Sequence, residues 1–269
     1  MKYPFLLAAL LLCSANLAAR HPDTHTLLQP DTLSLRQSDA HTVHGSDSLG
    51  MRRPDSLRQS DALSAQKSDA PFIRPPYLRP GDTIGIVTPA RKLKEKADTT
   101  KVRERFEEWG LKVKFGAHYA DREQPYFAGT DARRAADLQA MIDDPGVKAV
   151  VSYQGGYGSV RLLPLLDLTP LREHPKWIVG FSDVTMLHMA LGRLGVESLH
   201  ATMPGKFRFG ADEKPEAIVS DESLRSALFG RWTRIDAAAH PLNVSGTARG
   251  RLAGGNLSLL CSAIGTPEQ

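Results

Sequence analysis

Hydrophobic and polar positions divide the chain into three regimes. Phe5 to Cys13 is an unbroken apolar run behind Lys2, followed by small residues that include Ala18 and Ala19. From Arg20 to about Pro71 apolar residues thin out and aromatic ones are absent. From about Tyr77 onward they gather into short runs and stripes of the kind that build a core. Thr83–Thr88 reads as a buried strand between the turn Pro80-Gly81-Asp82 and Pro89. Asp98–Trp109 has helical spacing, with Val102, Phe106 and Trp109 on one stripe, and Leu111–Phe115 alternates as a strand. Thr130 or Asp131 caps a predicted helix running through Ile142, and Val147–Tyr153 is the third strand. Trp177–Gly180 is a fourth strand, Asp183–Leu194 a helix, and Val196–Leu199 a short strand. Pro241–Leu252 reads as short β segments, and Leu257–Ile264 as an apolar helix after Gly254-Gly255-Asn256.

Strands alternating with helices predict an α/β domain: a largely parallel sheet flanked by helices, with ligands at the carboxyl ends of the strands. The loops Gln154–Ser159 and Gly180–Asp183 both follow strands, so both are expected at that edge. Four segments result. Residues 1–19 read as a signal peptide, too short to span a bilayer comfortably, and 20–72 as a disordered low-complexity tether. Residues 73–232 are an N-terminal α/β domain. Residues 233–269 are the start of a second, β-rich domain too short to hold a core of its own, so the sequence reads as cut short. The tether carries the repeat Leu35–Ala40, copied at Leu57–Ala62, without the hydrophobic face a solenoid needs. Removal of the leader implies a periplasmic or envelope location with no integral membrane segment left; retention of Met1 would favour the cytoplasm.

Composition narrows the function classes. In 269 residues, 41% hydrophobic and 24% charged content is ordinary for a globular protein, and a net charge of +4 provides no basic stripe for nucleic acid. The cysteines are Cys13 and Cys261, so loss of the leader leaves no intrachain disulfide. Leu12 stands where a lipoprotein signal needs a small residue, which argues against lipidation at Cys13. No Cys/His cluster has zinc spacing, and no metal or other cofactor is expected.

Ser182 is the candidate nucleophile. At a strand-to-helix turn its hydroxyl would project into a cleft, and the Asp183 amide, at a helix start, would be free to hold an oxyanion. The plainer alternative makes Ser182 or Asp183 a helix N-cap. Gly155-Gly156-Tyr157-Gly158 would bring main-chain N–H groups close to a ligand. An oxyanion or carboxylate loop fits it better than a phosphate cradle, because Arg161 stands where the last glycine of a nucleotide loop would be. Arg161 would pair with a ligand carboxylate or simply face solvent. Of the folded region's histidines, His188 points away from the turn and His200 follows a short strand; neither is a convincing base for Ser182.

Phe127-Ala128-Gly129-Thr130, Gly155-Gly156-Tyr157-Gly158 with Arg161-Leu162-Leu163, Gly180-Phe181-Ser182-Asp183-Val184-Thr185, and Gly254-Gly255-Asn256-Leu257 with Ile264-Gly265-Thr266-Pro267 together resemble the LD-carboxypeptidase family, peptidase family S66. The resemblance covers about Pro76 to Gln269. It implies a serine carboxypeptidase that removes terminal D-alanine from murein tetrapeptides, or, in a related branch, a microcin-immunity peptidase acting on peptide-nucleotides. It implies Ser182 as nucleophile, Asp183 and Gly156 as oxyanion donors, and Gly155, Tyr157 and Arg161 as substrate contacts. The partner implied is a murein peptide, and a homodimer is compatible with it. The family's remaining triad members, a glutamate and a histidine, follow the Gly-Thr-Pro motif, so this chain by itself is expected to be inactive. A non-catalytic murein-binding module is the alternative. Gln154 stands where the family commonly has arginine, and His200-Ala201-Thr202-Met203 where it has Gly-Pro before the methionine; both bear on substrate preference.

Overall fold

A computed structural model describes residues 71–95, 97–210, 215–231, 238–244, 246–247 and 249–266. The expected leader, the repeats and the cleavage point at Ala18/Ala19 lie outside the described residues. Five strands form one parallel sheet: β1 (Thr83–Val87), β2 (Lys112–Phe115), β3 (Val147–Ser152), β4 (Trp177–Gly180) and β5 (Leu199–His200), in the order β2-β1-β3-β4-β5. Ile84 pairs with Val113 on one side and Ala149 on the other, Val150 with Ile178, and Gly180 with His200. The helices are α1 (Thr99–Glu108), α2 (Asp131–Asp143), α3 (Pro170–Glu173), α4 (Thr185–Leu194), α5 (Pro215–Leu228) and α6 (Leu257–Ser262).

Parallel strands covered on both faces must be apolar on both, and these are. Ile84, Ile86, Ala149, Val151, Trp177 and Val179 pack with Val102 and Phe106 of α1 and Leu224 and Leu228 of α5. Val147, Val150 and Ile178 pack on the opposite face with Leu138, Met141 and Ile142 of α2 and Leu187 and Leu191 of α4. The caps follow the side-chain chemistry. Asp98 accepts from the Lys101 N–H at the start of α1, and Thr130 from the Arg133 N–H at the start of α2.

The chain is already engaged before Tyr77. Ile73 bridges Val196 in parallel, its N–H donating to Gly195 O at 2.8 Å, and Arg74 donates to both oxygens of Glu197 at 2.6 and 3.0 Å.

Two expectations need correction. The β segments expected over Pro241–Leu252 do not form: the described residues there are turn and irregular chain. Helix α5 has no counterpart in the sequence reading. Its first half has an inverted pattern, with Ile218 and Val219 exposed while Asp221 is buried against Arg105 at 2.9 Å. A charged residue on the inner face and apolar ones on the outer face cancel the amphipathic signal. Among the described residues, no helix is long and apolar enough to cross a membrane.

Candidate active site

Strand β4 is buried throughout and stops at Gly180. The chain turns through Phe181 and a short 3₁₀ turn, Ser182–Val184, then enters α4. Ser182 has φ of +60°, the one non-glycine residue with positive φ among those described. That conformation costs an L-residue on the order of 1–3 kcal/mol and persists only where the surroundings impose it. Here Asp183 and Val184, just behind it, are buried and fix the turn. This is the geometry of a nucleophile elbow. The N-cap alternative does not hold, since neither the turn nor α4 has a side-chain cap.

The glycine loop leaves β3 and lies against this elbow. A Cβ at buried Gly155 would stand 3.2 Å from Ser182 Cβ and 3.5 Å from the Asp183 nitrogen. Gly156, with φ of +136°, is one step farther out and exposed; a Cβ there would stand 2.8 Å from both Arg91 Cβ and Tyr126 Oη. Among the described residues, no protein group accepts from the N–H groups of Gly155, Gly156 or Asp183. Two unpaired main-chain donors, those of Gly155 and Asp183, therefore lie beside Ser182, with that of Gly156 one residue farther out; such donors are what an oxyanion site requires.

The Asp183 carboxylate is directed away from Ser182. Its Oδ2 accepts from the Ser159 N–H at 2.8 Å, tying the far end of the glycine loop to the elbow. Its Oδ1, the Ser159 hydroxyl and Arg134 Nε are all buried with no partner. Arg134 itself is buried, donating to Pro89 O, to Gly158 O at 3.2 Å and to Asp131, with its guanidinium 4.7 Å from the Phe127 ring centre. Burial pushes the Arg134 guanidinium down and the Asp131 carboxylate opposes this. The sequence reading named Asp131 only as a candidate helix cap and missed Arg134, although their i, i+3 spacing on a helix is a legible pairing signal.

Tyr157 lies on the rim, half exposed, with its N–H on Tyr126 Oη at 3.0 Å. Arg161 is engaged within the protein. Its guanidinium is held by Asp131 at 2.6–2.8 Å and lies 5.3 Å from the Phe127 ring centre, so the cation expected to read a ligand is already paired. The Arg161 hydrogen bond, with Arg134 nearby, keeps the Asp131 carboxyl below its ordinary range. Gln154 is buried, and its Nε2 donates to the carbonyls of Arg91 and Lys92. It clamps the loop after β1.

His188 is buried beneath the elbow. Its Nε2 lies 2.9 Å from Gly180 O, so that nitrogen carries the proton, and Nδ1 accepts from Ser198 Oγ at 2.8 Å. Burial pulls its pKa down to about 4, so the ring is neutral near pH 7. His200 stacks between it and Phe181, with ring centres at 5.7 and 6.4 Å, and is likewise pushed down by burial. Its Nδ1 is buried without a partner. Neither histidine is hydrogen-bonded to Ser182.

Residues 84–201 match the model of the Peptidase S66 family, LD-carboxypeptidase N-terminal domain. These residues are an LD-carboxypeptidase N-terminal domain. A probable murein peptide carboxypeptidase of Bacillus subtilis is 37% identical over 196 residues, 72% of this chain and 60% of its own. A murein tetrapeptide carboxypeptidase of Pseudomonas aeruginosa is 30% identical over 191 residues, 68% of this chain and 60% of its own. The chain thus spans about three fifths of the length of these curated relatives. The solved structure of the microcin C7 self-immunity protein MccF with aspartyl sulfamoyl adenosine has the same fold: TM-score 0.57, 24% identity, 72% of this chain and 66% of that one.

The LD-carboxypeptidase domain contains the elbow, the glycine loop and both stacked histidines. The Gly254-Gly255-Asn256 turn lies outside it in sequence yet docks on it. Gly255 is buried, a Cβ there would stand 2.7 Å from Thr185 Oγ1, and the Asn256 N–H donates to that oxygen at 3.1 Å. The turn therefore reaches the first residue of α4, just behind the elbow.

Proposed function

We propose that the protein is a serine-type LD-carboxypeptidase that removes terminal D-alanine from murein tetrapeptides. The observation that carries this is Ser182 at positive φ on the elbow, with the unpaired N–H groups of Asp183 and Gly155 beside it and that of Gly156 next in the loop. The names of the two bacterial relatives support the substrate class.

In this reading Ser182 Oγ attacks the carbonyl carbon of the last peptide bond. The oxyanion is held by main-chain N–H groups. As the C–N bond breaks, the serine proton passes through a base to the departing amine of D-alanine, and water then hydrolyses the acyl-enzyme. A serine hydroxyl is a weak nucleophile without such a base. We place the base outside the described residues, in the glutamate–histidine pair that the family resemblance puts after the Gly-Thr-Pro motif. Residues 20–269 alone are then expected to be inactive. We also propose export through the N-terminal leader, which sequencing of the mature N-terminus tests; a chain beginning at Met1 would refute it.

The deciding experiment follows D-alanine release from a murein tetrapeptide by the full product of the reading frame. Release by the parent, and its loss in Ser182→Ala with an unchanged circular dichroism spectrum, supports the proposal. Binding of the peptide without release would make the protein a non-catalytic murein-binding module. Release by residues 20–269 alone would overturn the placement of the base and make His200 the leading candidate.

A further inference from the structure

A carboxypeptidase must distinguish a chain end from an internal peptide bond, and the mark of a chain end is its carboxylate. The cations around the glycine loop are therefore informative. Arg134 and Arg161 are both held by Asp131, and Lys92 Nζ donates to Gln124 O at 3.0 Å. Arg91 differs. Its backbone is fixed by an antiparallel bridge to Phe127 and by the Gln154 side chain, which donates to its carbonyl at 2.9 Å. Among the described residues, its guanidinium has no carboxylate, carbonyl or ring as a partner. Its side chain leaves the main chain against Gly156, where a Cβ would stand 2.8 Å from Arg91 Cβ.

We propose that Arg91 anchors the terminal carboxylate of the substrate, an inference that rests on the carboxypeptidase reading above. The scissile carbonyl oxygen belongs at the amides of Asp183 and the Gly155–Gly156 pair. The terminal carboxylate lies one residue beyond, and Arg91 is rooted beside the outer of those glycines. A guanidinium grips a carboxylate through two parallel N–H bonds, a fork that an ammonium group cannot reproduce. A main chain already held on two sides lowers the ordering cost of binding. The nearby acids do not compete, because Asp131 is paired with two arginines and Asp183 is bonded to Ser159. Gln154 acquires a role as well: from a buried position it holds the carbonyls of Arg91 and Lys92 in place. The rival cation is Lys206, which is exposed and follows Gly205, a residue packed on Gln154.

The test is a binding cycle in the full product of the reading frame carrying Ser182→Ala, so that turnover is not needed. Calorimetry compares a murein tetrapeptide ending in D-alanine with the same peptide ending in D-alaninamide. The acid should bind more tightly on the order of 10–100-fold, the range of hydrogen bonds to a charged group. Arg91→Gln should abolish that preference while leaving affinity for the amide unchanged, Arg91→Lys should restore part of it, and Lys206→Ala should keep it. Full preference in Arg91→Gln, or its loss in Lys206→Ala, would overturn the assignment. Equal binding of both peptides by the parent would refute a carboxylate anchor, leaving the catalytic reading to stand or fall on D-alanine release. If neither peptide binds, the substrate class fails and the anchor fails with it.

Discussion

At the residue scale, Asp183 combines two functions. In the proposed mechanism its amide serves the oxyanion, while its carboxylate holds the Ser159 N–H at the other end of the glycine loop. The carboxylate is a positioning group, and the bond can be deleted without touching Ser182. Ser159 opens a short 3₁₀ turn, and Ser159→Pro removes the donating N–H together with the buried hydroxyl, which has no partner. Ser159→Pro in the full product should lower kcat for D-alanine release on the order of tenfold or more, with KM nearly unchanged, as expected when a bond to a charged group positions the donors. Asp183→Asn, which keeps an acceptor, should retain more activity than Asp183→Ala. Equal losses in these two variants, or a rise in KM alone, would show that the carboxylate does not position the loop.

At the element scale, four segments gather around the elbow and its glycine loop: the loop after β1, the loop after β3, β5 with His200 stacked on His188 of α4, and the Gly254–Asn256 turn. The last is the most readily perturbed. Its contact is one close approach and one hydrogen bond to Thr185. Gly255→Ala should force the turn off α4, and overpacking of this kind costs about 1–3 kcal/mol. Limited proteolysis should then cut between Arg249 and Thr266 faster than in the parent, and Thr185→Ala in the same chain should recover part of the protection. An unchanged cutting rate in Gly255→Ala would mean that the turn does not depend on this contact.

At the scale of the whole molecule, the stacked histidines make stability depend on pH. His188 is buried and neutral, with its folded pKa pulled down to about 4 from an ordinary 6.5. The unfolded chain therefore binds a proton that the folded chain refuses between those values. Stability is fully present above about pH 6.5 and is lost progressively as pH falls toward 4. At 1.36 kcal/mol per unit the loss is on the order of 3 kcal/mol. His200, also lowered by burial, acts with the same sign. Urea unfolding at pH 7 and pH 5 should show a clear loss in the parent and a smaller one in His188→Gln. Equal losses in the two proteins would mean that His188 is not held neutral.

Much of this architecture was legible in the sequence. The runs Thr83–Val87, Val147–Ser152 and Trp177–Gly180 are apolar at nearly every position, which a strand covered on both faces requires, and each formed as a strand. The motif around Ser182 placed it at a strand-to-helix turn, and the structure supplied the positive φ that distinguishes an elbow from a cap. Local periodicity could not reveal α5, because its inward charge is satisfied by Arg105, more than 100 residues away in sequence. Nor could it tell which arginine is available to a ligand. Arg161 has the better local context but is paired with Asp131, thirty residues earlier. Arg91 has no motif around it, and only the approach of the loop after β3 to the loop after β1 sets it beside Gly156. Sequence pattern determines which faces are buried, because burial follows the local period of apolar side chains. Which charges remain unpaired depends on contacts between distant segments, and only the tertiary structure decides that.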